Sequence, residues 1–570
     1  MKKFLLLFAV VSIAAAGSID PDLAVIMAGS TDTDLIPVFI LAHGQVDRNW
    51  VDVSAYSMSR AQRQQFAVSA MKEVAEVAQD GILTELRNSN AAGIESLWLA
   101  NAVYCEITRA TIRDMAARAD VSLIESACDP NGGLIEPVDE HPVTDEEGSR
   151  GLAWGVAKIN ADGAWALGYE GQGVIVAVID TGADYLHPDL GNNMWHDTAA
   201  GFHYGWDFYD GDNDPMDDHG HGTHTAGSVA GDGSAGTQTG VAPQATIMAV
   251  RINYYYGGEP TWIQGMQFAI DNGASVMSTS LGSGQGTASL RTANENALTA
   301  GVYHSVSAAN SGPSAGTILS PGDCPPPWFH PDQTYHGGRS AVVTVGATNS
   351  SDGIADFSSR GPVTSWSDYN SSNPLIDPDI SGPGVDVVSC KWSGDPGSGQ
   401  YTTMSGTSMA APHLAGVAAL ILSANPNLTV AQMDSIIEVT SLDLGATGKD
   451  NSYGAGRVDA QAAVQAALSV TGTEEVQEAA VPQAMGISTI SPNPVSTYAS
   501  FNVYTAVSGA ADISVFDVSG RRVANIDNRD IQSGASAYNW QIPTQMGSGV
   551  YFVRATINGN TVSSRMTVVK

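Results

Sequence analysis

Cysteine is scarce in this chain, with four in 570 residues. A dense disulfide framework is therefore excluded as the source of stability, although isolated bridges are not. Basic residues are scarce as well: 25 Lys and Arg stand against 59 Asp and Glu, a net charge of -34. Such a surface repels phosphate backbones and anionic bilayers, so neither nucleic acid nor a charged membrane is an expected partner. Beyond the N-terminus no uncharged apolar run approaches the roughly 18 residues of a spanning helix. What is present is length enough for several cores, at roughly 150 residues per domain.

Met1-Lys2-Lys3, the apolar stretch Phe4 to Ala16 and the small residues before Gly17 have the layout of a secretory signal, expected over residues 1–17. Export permits disulfides. Cys105 with Cys128 and Cys324 with Cys390 is the sequence-local pairing, and two other pairings remain open.

Within a unit bounded at 18–128, the stretch from Leu35 to about Ile124 alternates as β-α-β-β-α-β. Leu35 to Leu41 is a β-rich run, and Ser59-Arg60-Ala61-Gln62 is a capping-box start for a helix carrying Phe66, Ala70, Val74 and Val77 at helical spacing. Ser96 to Leu99 and Ala102 to Ile107 read as strands, Thr108 to Ala117 as a second helix and Val121 to Glu125 as a closing strand. The pattern predicts a small ferredoxin-like α+β unit. Residues 129–150 are acidic, rich in Pro and Gly and aperiodic, so they are expected to form an exposed linker where processing occurs. A unit placed between a signal and a larger domain suits a folding assistant and inhibitor better than an unrelated binding module.

Val174 to Ile179 is a continuous apolar run, as in a buried parallel strand, and it ends in Asp180-Thr181-Gly182. A carboxylate at the carboxyl end of such a strand lies where open α/β sheets place their sites. His219, His221 and His224 follow, spaced by glycines and threonine. They lack the glutamate of the helical zinc-protease signature, so a general base is the sharper reading. Ser408, in Gly406-Thr407-Ser408-Met409-Ala410, opens an apolar helix running to Leu422. An alcohol needs an adjacent base, and the base an orienting acid.

Taken together, Asp180-Thr181-Gly182, His221-Gly222-Thr223-His224 and Gly406-Thr407-Ser408-Met409-Ala410 resemble the three catalytic signatures of the subtilisin-like serine proteases. The order Asp, His, Ser is that family's, whereas α/β-hydrolases run Ser, Asp, His. The resemblance covers roughly Trp154 to Ala467, within a domain bounded here at 151–468. It implies a three-layer α/β/α sandwich around a mainly parallel sheet, and a peptidase acting on proteins and peptides. Ser408 is then the nucleophile, His221 the base and Asp180 its orienting acid, with Asn310 as oxyanion donor. Ser280, Leu281 and Gly282 resemble the segment that pairs with extended substrate. Ala309 stands where the family usually has Gly, beside the primary specificity pocket. An apolar or medium-sized residue before the scissile bond is therefore expected. Two calcium sites are implied: one from Asp207, Asp210, Asp212 and Asp214, whose like charges need a cation, and a second at Asp189 with the loop Asp232 to Gln238. Ser234 replaces a common asparagine ligand in that second site. Residues 313–338 are expected as a surface loop pinned by the Cys324–Cys390 bridge. No organic cofactor is implied, and a monomer is expected. A non-catalytic surface binding protein and an esterase are the rival readings.

After a linker at 469–486, residues 487–570 show alternating runs at Ala499 to Tyr504, Ala511 to Asp517 and Val550 to Ile557, separated by turn residues, which predicts a small all-β sandwich. Ile490 to Pro494, Phe516 to Val523, Gly549-Val550-Tyr551 and the terminal Lys570 resemble the sorting domain of type IX secretion. That implies the type IX machinery as a partner and delivery outside the cell or onto its surface.

Overall fold

The computed structural model describes residues 17–55, 58–127, 137–143, 151–254, 258–334, 337–470, 485–487, 490, 495–505, 508–517, 521–532, 534–558 and 560–570. The secretory signal, Cys128, most of the 129–150 linker and the Ser491 to Pro494 motif lie outside them.

The N-terminal unit keeps the expected order, with a short strand Ser18–Ile19 and a helix Pro21–Gly29 added in front and a helix Arg48–Ser54 inserted before the long one. Ser59 caps the long helix Arg60–Asn88 through a complete capping box with Gln62. The buried face of that helix is Ala67, Val68, Met71, Ala75, Ile82 and Leu86, whereas Val77 is exposed. The expected stripe was therefore displaced, because the strand faces beneath set the helix rotation. Ile36–Ala42, Ala102–Ile107, Ala92–Leu97 and Val121–Ser126 form one sheet, whose edge is completed by Ser18–Ile19 pairing in parallel with Leu123 and Ile124. One face of this sheet, including Phe39, Leu41 and Leu97, packs into the same apolar core as the following domain.

That domain is built on seven strands, and every neighbouring pair is parallel. In space they run Gly205–Asp207, Thr246–Arg251, Ile175–Asp180, Val276–Thr279, Tyr303–Ser307, Val342–Thr348 and Ile380–Pro383. The α/β sandwich is what the resemblance implied. Its strands are almost entirely buried, Ile175–Asp180, Thr246–Arg251 and Val342–Thr348 being largely aliphatic, because helices cover both faces. The order reverses between Ile175–Asp180 and Val276–Thr279, so the carboxyl end of the first strand opens at a topological switch point. The helix Thr407–Ala424 crosses the sheet, buried from Thr407 to Leu422. It is the one described helix apolar and long enough to cross a membrane, and 89% of it lies inside the protein, as befits a core helix.

Two expectations fail here. Among the described residues Cys105, Cys324 and Cys390 are free and buried, so the Cys324–Cys390 bridge is absent, while the Cys105–Cys128 pairing involves a residue outside them. Each thiol sits in its own apolar setting: Cys324 belongs to a small core with Ile318, Phe329, Trp366 and Tyr369, while Cys390 joins the main core. Nor is 313–338 merely a surface loop, since Ile318, Ser320, Asp323 and Cys324 are wholly buried in it. The described part of the linker is largely exposed, as expected, but regular: Asp139–Pro142 forms a strand antiparallel to Tyr401–Ser405.

The C-terminal part is an all-β unit of a three-stranded and a four-stranded sheet. Val503, Val515, Val553 and Met566 lie in the core between them.

Candidate active site

Asp180 ends its strand with the carboxylate wholly buried. His221 Nδ1 lies 2.7 Å from Asp180 Oδ1. A carboxylate oxygen accepts, so this contact places a proton on Nδ1 and leaves Nε2 as the nitrogen turned away from Asp180. Asp180 is itself held by the backbone N–H of Thr181, donating to Oδ1 at 2.8 Å, and by the Thr225 hydroxyl on Oδ2 at 3.3 Å. His221 is the first residue of the helix His221–Ala230, and Gly220 before it has φ 106°, a conformation that suits glycine. His224, one turn on, is a core residue. Its Nε2 lies 3.0 Å from the Val387 carbonyl and burial lowers its pKa to about 3, so the ring is neutral core packing, outside the one cluster of metal-binding side chains among the described residues.

Ser408 is the second residue of the crossing helix, which packs against the His221 helix. Its Oγ donates to the Ser280 carbonyl at 3.3 Å, and Ser280 Oγ donates to the Ser408 carbonyl at 2.8 Å. The structure thus links the nucleophile's helix to the segment Ser280, Leu281 and Gly282 that follows the strand Val276–Thr279; all three residues are buried.

Asn310 Oδ1 accepts from both the N–H and the hydroxyl of Thr407, each at 2.9 Å. With the carbonyl end fixed, the amide Nδ2 stands over Gly406, 3.3 Å from where a Cβ there would lie. A donor is thereby presented beside the N-terminus of the Ser408 helix, where developing negative charge is also favoured by the helix dipole. Thr407 and Thr225 were not singled out from sequence, because a threonine beside a motif carries no signal of its own. Ala309 has φ 86° and is almost wholly buried. A methyl-bearing residue in the left-handed region is strained, which explains why glycine suits this position.

The residues expected to hold calcium are differently arranged. Arg251 Nη1 donates to Asp207 and to Asp210 at 2.5 and 2.8 Å, and Nη2 to Asp218 at 2.8 Å. Asp207 Oδ1 accepts from the N–H groups of Tyr209 and Asp210. Asp214 accepts from the Tyr185 hydroxyl, and Asp212 from the Asp214 N–H. The acidic loop therefore already has a cation in it, a side chain that sequence reasoning missed because it lies on a later strand. Asp189 Oδ1 accepts from the Ala235 N–H at 2.5 Å and Oδ2 from the Tyr401 hydroxyl at 2.8 Å, and Tyr401 in turn accepts from the Thr237 N–H. Hydrogen bonds thus pin the Asp232 to Gln238 loop to Asp189. Among the described residues only His187, Asp189 and Cys390 bring three metal-binding side chains within 4.8 Å of one another. His187 Nε2 is engaged by the Gln400 carbonyl and its Nδ1 by the Asp189 N–H.

A parallel α/β domain with an Asp–His pair at its switch point and a helix-borne serine belongs to the class of serine hydrolases that cut acyl bonds. Residues 171–456 match the model of the subtilase family, and residues 489–570 match that of the secretion system C-terminal sorting domain. Subtilisin E of Bacillus subtilis (strain 168) is 34% identical over 367 residues, 64% of this chain and 81% of that protein. A subtilisin of Bacillus pumilus is 34% identical over 320 residues, 56% of this chain and all of that protein. Serine protease AprX of Bacillus subtilis is 36% identical over 328 residues, covering 66% of its length. The chain belongs to the subtilase family and is a subtilisin-like serine protease, secreted or carried to the cell surface by a type IX sorting domain.

Proposed function

We propose that this protein is an endopeptidase made as a self-processing precursor, acting through Asp180, His221 and Ser408. The observation that carries this reading is the 2.7 Å contact between His221 Nδ1 and the buried Asp180. Ser408 Oγ attacks the scissile carbonyl while His221 Nε2 takes its proton. The imidazolium, stabilised by Asp180, then returns that proton to the leaving amine. Water hydrolyses the acyl-enzyme by the same steps in reverse. Asn310 Nδ2 and the Ser408 N–H donate to the oxyanion. Ser280, Leu281 and Gly282 pair with the substrate backbone, and Ala309 narrows the pocket for the residue before the cut.

The N-terminal unit acts as chaperone and inhibitor. Supporting this, Glu125 accepts the N–H groups of Ala288 and Ser289 at the start of the helix Ala288–Thr299, at 2.9 and 2.8 Å. Arg60 donates to the carbonyls of Leu428, Ser275 and Gly301, and Gln64 to those of Ile270 and Ala274. Calcium fits the acidic loop only in part. Asp210, Asp212 and Asp214 are exposed oxygen donors, but Asp207 already faces Arg251. The Asp189 site does not fit, because both carboxylate oxygens are hydrogen-bonded.

The test compares wild type with Ser408→Ala, both produced from Gly17 onward, by intact mass and casein hydrolysis. Wild type is expected to shed its N-terminal unit and cleave casein while the variant stays whole. If a folded wild type remains intact and inert, the reading fails and a binding role takes its place.

A further inference from the structure

The strand Asp139–Pro142 lies beside the nucleophile. It pairs with Tyr401–Ser405, the strand that runs through Gly406 into Thr407 and Ser408, in the register Asp139 to Ser405 and Pro142 to Thr402. The Val138 N–H adds a bond to the Ser405 carbonyl at 2.7 Å. Thr402, itself buried, turns its hydroxyl toward Glu140 Oε1 at 3.2 Å and the His141 carbonyl at 3.3 Å. An extended segment added to a sheet edge is how many proteins bind peptides, with backbone bonds giving affinity and side-chain contacts giving preference. Because the antiparallel register sets its Asp139 end nearest Ser408 and carries the later residues away from it, the segment runs as a substrate's leaving half would.

One side chain on this edge is set apart. Asp386 has φ 52°, a left-handed conformation that aspartate adopts at a cost. It is locked there by Trp154 Nε1 donating to its carbonyl at 2.7 Å, and by its own N–H donating to Ser405 Oγ at 2.9 Å. The result is a half-exposed carboxylate whose Oδ1 lies 3.3 Å from His141 Nε2. The Pro142 carbonyl and then Asp386 raise the His141 pKa, as expected of a cation-favouring position.

We propose that Tyr401–Ser405 and Asp386 form a leaving-side subsite. It selects a basic side chain three residues beyond the one whose N–H meets the Ser405 carbonyl, and in this chain His141 fills it. The proposal rests on the peptidase reading above and specifies the substrates of that same cleft. Cleavage breaks the peptide C–N bond, the acyl half stays on Ser408 and the leaving half takes a proton from His221. A basic residue in that half is held by Asp386 until the bond breaks.

The experiment uses the mature enzyme and internally quenched peptides sharing one N-terminal half, with Lys or Glu at the position matching His141. Wild type is expected to favour Lys by roughly two- to five-fold in kcat/KM, the range an exposed ion pair gives. In Asp386→Asn the ratio should fall to about one; asparagine tolerates the left-handed backbone, so the fold is retained. The ratio within one enzyme is insensitive to any general loss of activity. Equal rates in wild type, or an unchanged ratio in the variant, would overturn the subsite. Failure to cleave even a short chromogenic peptide would instead overturn the peptidase reading.

Discussion

The Tyr401 hydroxyl donates to Asp189 Oδ2 at 2.8 Å and at the same time accepts the Thr237 N–H at 2.9 Å. A single phenol thus joins two loops where the family resemblance implied a metal. Tyr401→Phe leaves Asp189 short of a donor in a buried setting, at a cost of roughly 1–3 kcal/mol. A lower Tm is expected, and chelation should not deepen the loss at this loop. Thermal melts of both proteins with and without EDTA check it.

Removing calcium should act at the other loop. Asp210, Asp212 and Asp214 repel one another, and Arg251 engages only the first of them directly. Added calcium is expected to raise the Tm of wild type, and Asp212→Asn to reduce that rise. Calorimetry across a calcium titration decides it; an equal rise in both proteins would remove the metal from this loop.

Asn310→Ala should lower kcat by roughly 10²–10³ with KM little changed, a magnitude that itself comes from a subtilisin. Thr407→Val, which removes one of the two donors fixing Asn310 Oδ1, should lower kcat less. Steady-state kinetics on one chromogenic peptide measure both.

Ala309→Gly relieves a φ of 86° and removes a methyl group from the proposed specificity pocket. Stability should rise by about 1 kcal/mol, the usual strain of such a conformation. Turnover of substrates with a large aromatic before the cut should rise relative to those with alanine. A drop in stability would show that the methyl packs well enough to outweigh the strain.

Raising the pH from acid to neutral should weaken the fold at the carboxyl cluster around Lys449. Its Nζ lies 2.7 Å from Asp379 and 3.0 Å from Glu438, all three fully or nearly fully buried, with Asp377, Asp434 and Tyr303 close by. One cation serves four carboxyl groups, and burial pushes the Glu438 pKa up to about 8 and raises those of Asp377 and Asp434 well above the usual range. The folded chain holds these protons after the unfolded chain has released them, near 4.5 for Glu438. This contribution is therefore complete below that value and is lost as pH rises through about 8. Glu438→Gln should flatten the fall of Tm with pH over this window. An unchanged slope would show that Glu438 is ionised throughout.

The parts of this molecule legible in sequence are those written in contiguous residues. Ser59 with Gln62 announced a helix start, Val174 to Ile179 a buried parallel strand, and the runs around Asp180, His221 and Ser408 lay in an order that few folds share. Asp180 and His221, 41 positions apart, do lie within hydrogen-bonding distance. What sequence hid were partners supplied from far along the chain. Arg251 enters the acidic loop from a strand 33 to 44 residues away, and Tyr401 reaches Asp189 across 212. Cysteine arithmetic failed for a related reason: Cys324 and Cys390 belong to different apolar clusters, and counting thiols says nothing about which side chains surround them. The strand Asp139–Pro142 was invisible because its regularity comes from the edge it joins, not from its own pattern.

Phe39, Leu41 and Leu97 of the N-terminal unit share one continuous apolar core with the catalytic sheet. While the chain is whole, the two halves meet at the high effective concentration of a tether, of millimolar order for short linkers. Severing the tether reduces that to the bulk concentration, and in a secreted protein the bulk is the open medium. On the processing proposed above, the freed unit would leave with a bare hydrophobic sheet face exposed to the enzyme it had just covered. Activation of the proposed kind would behave as a ratchet, with dilution as its pawl.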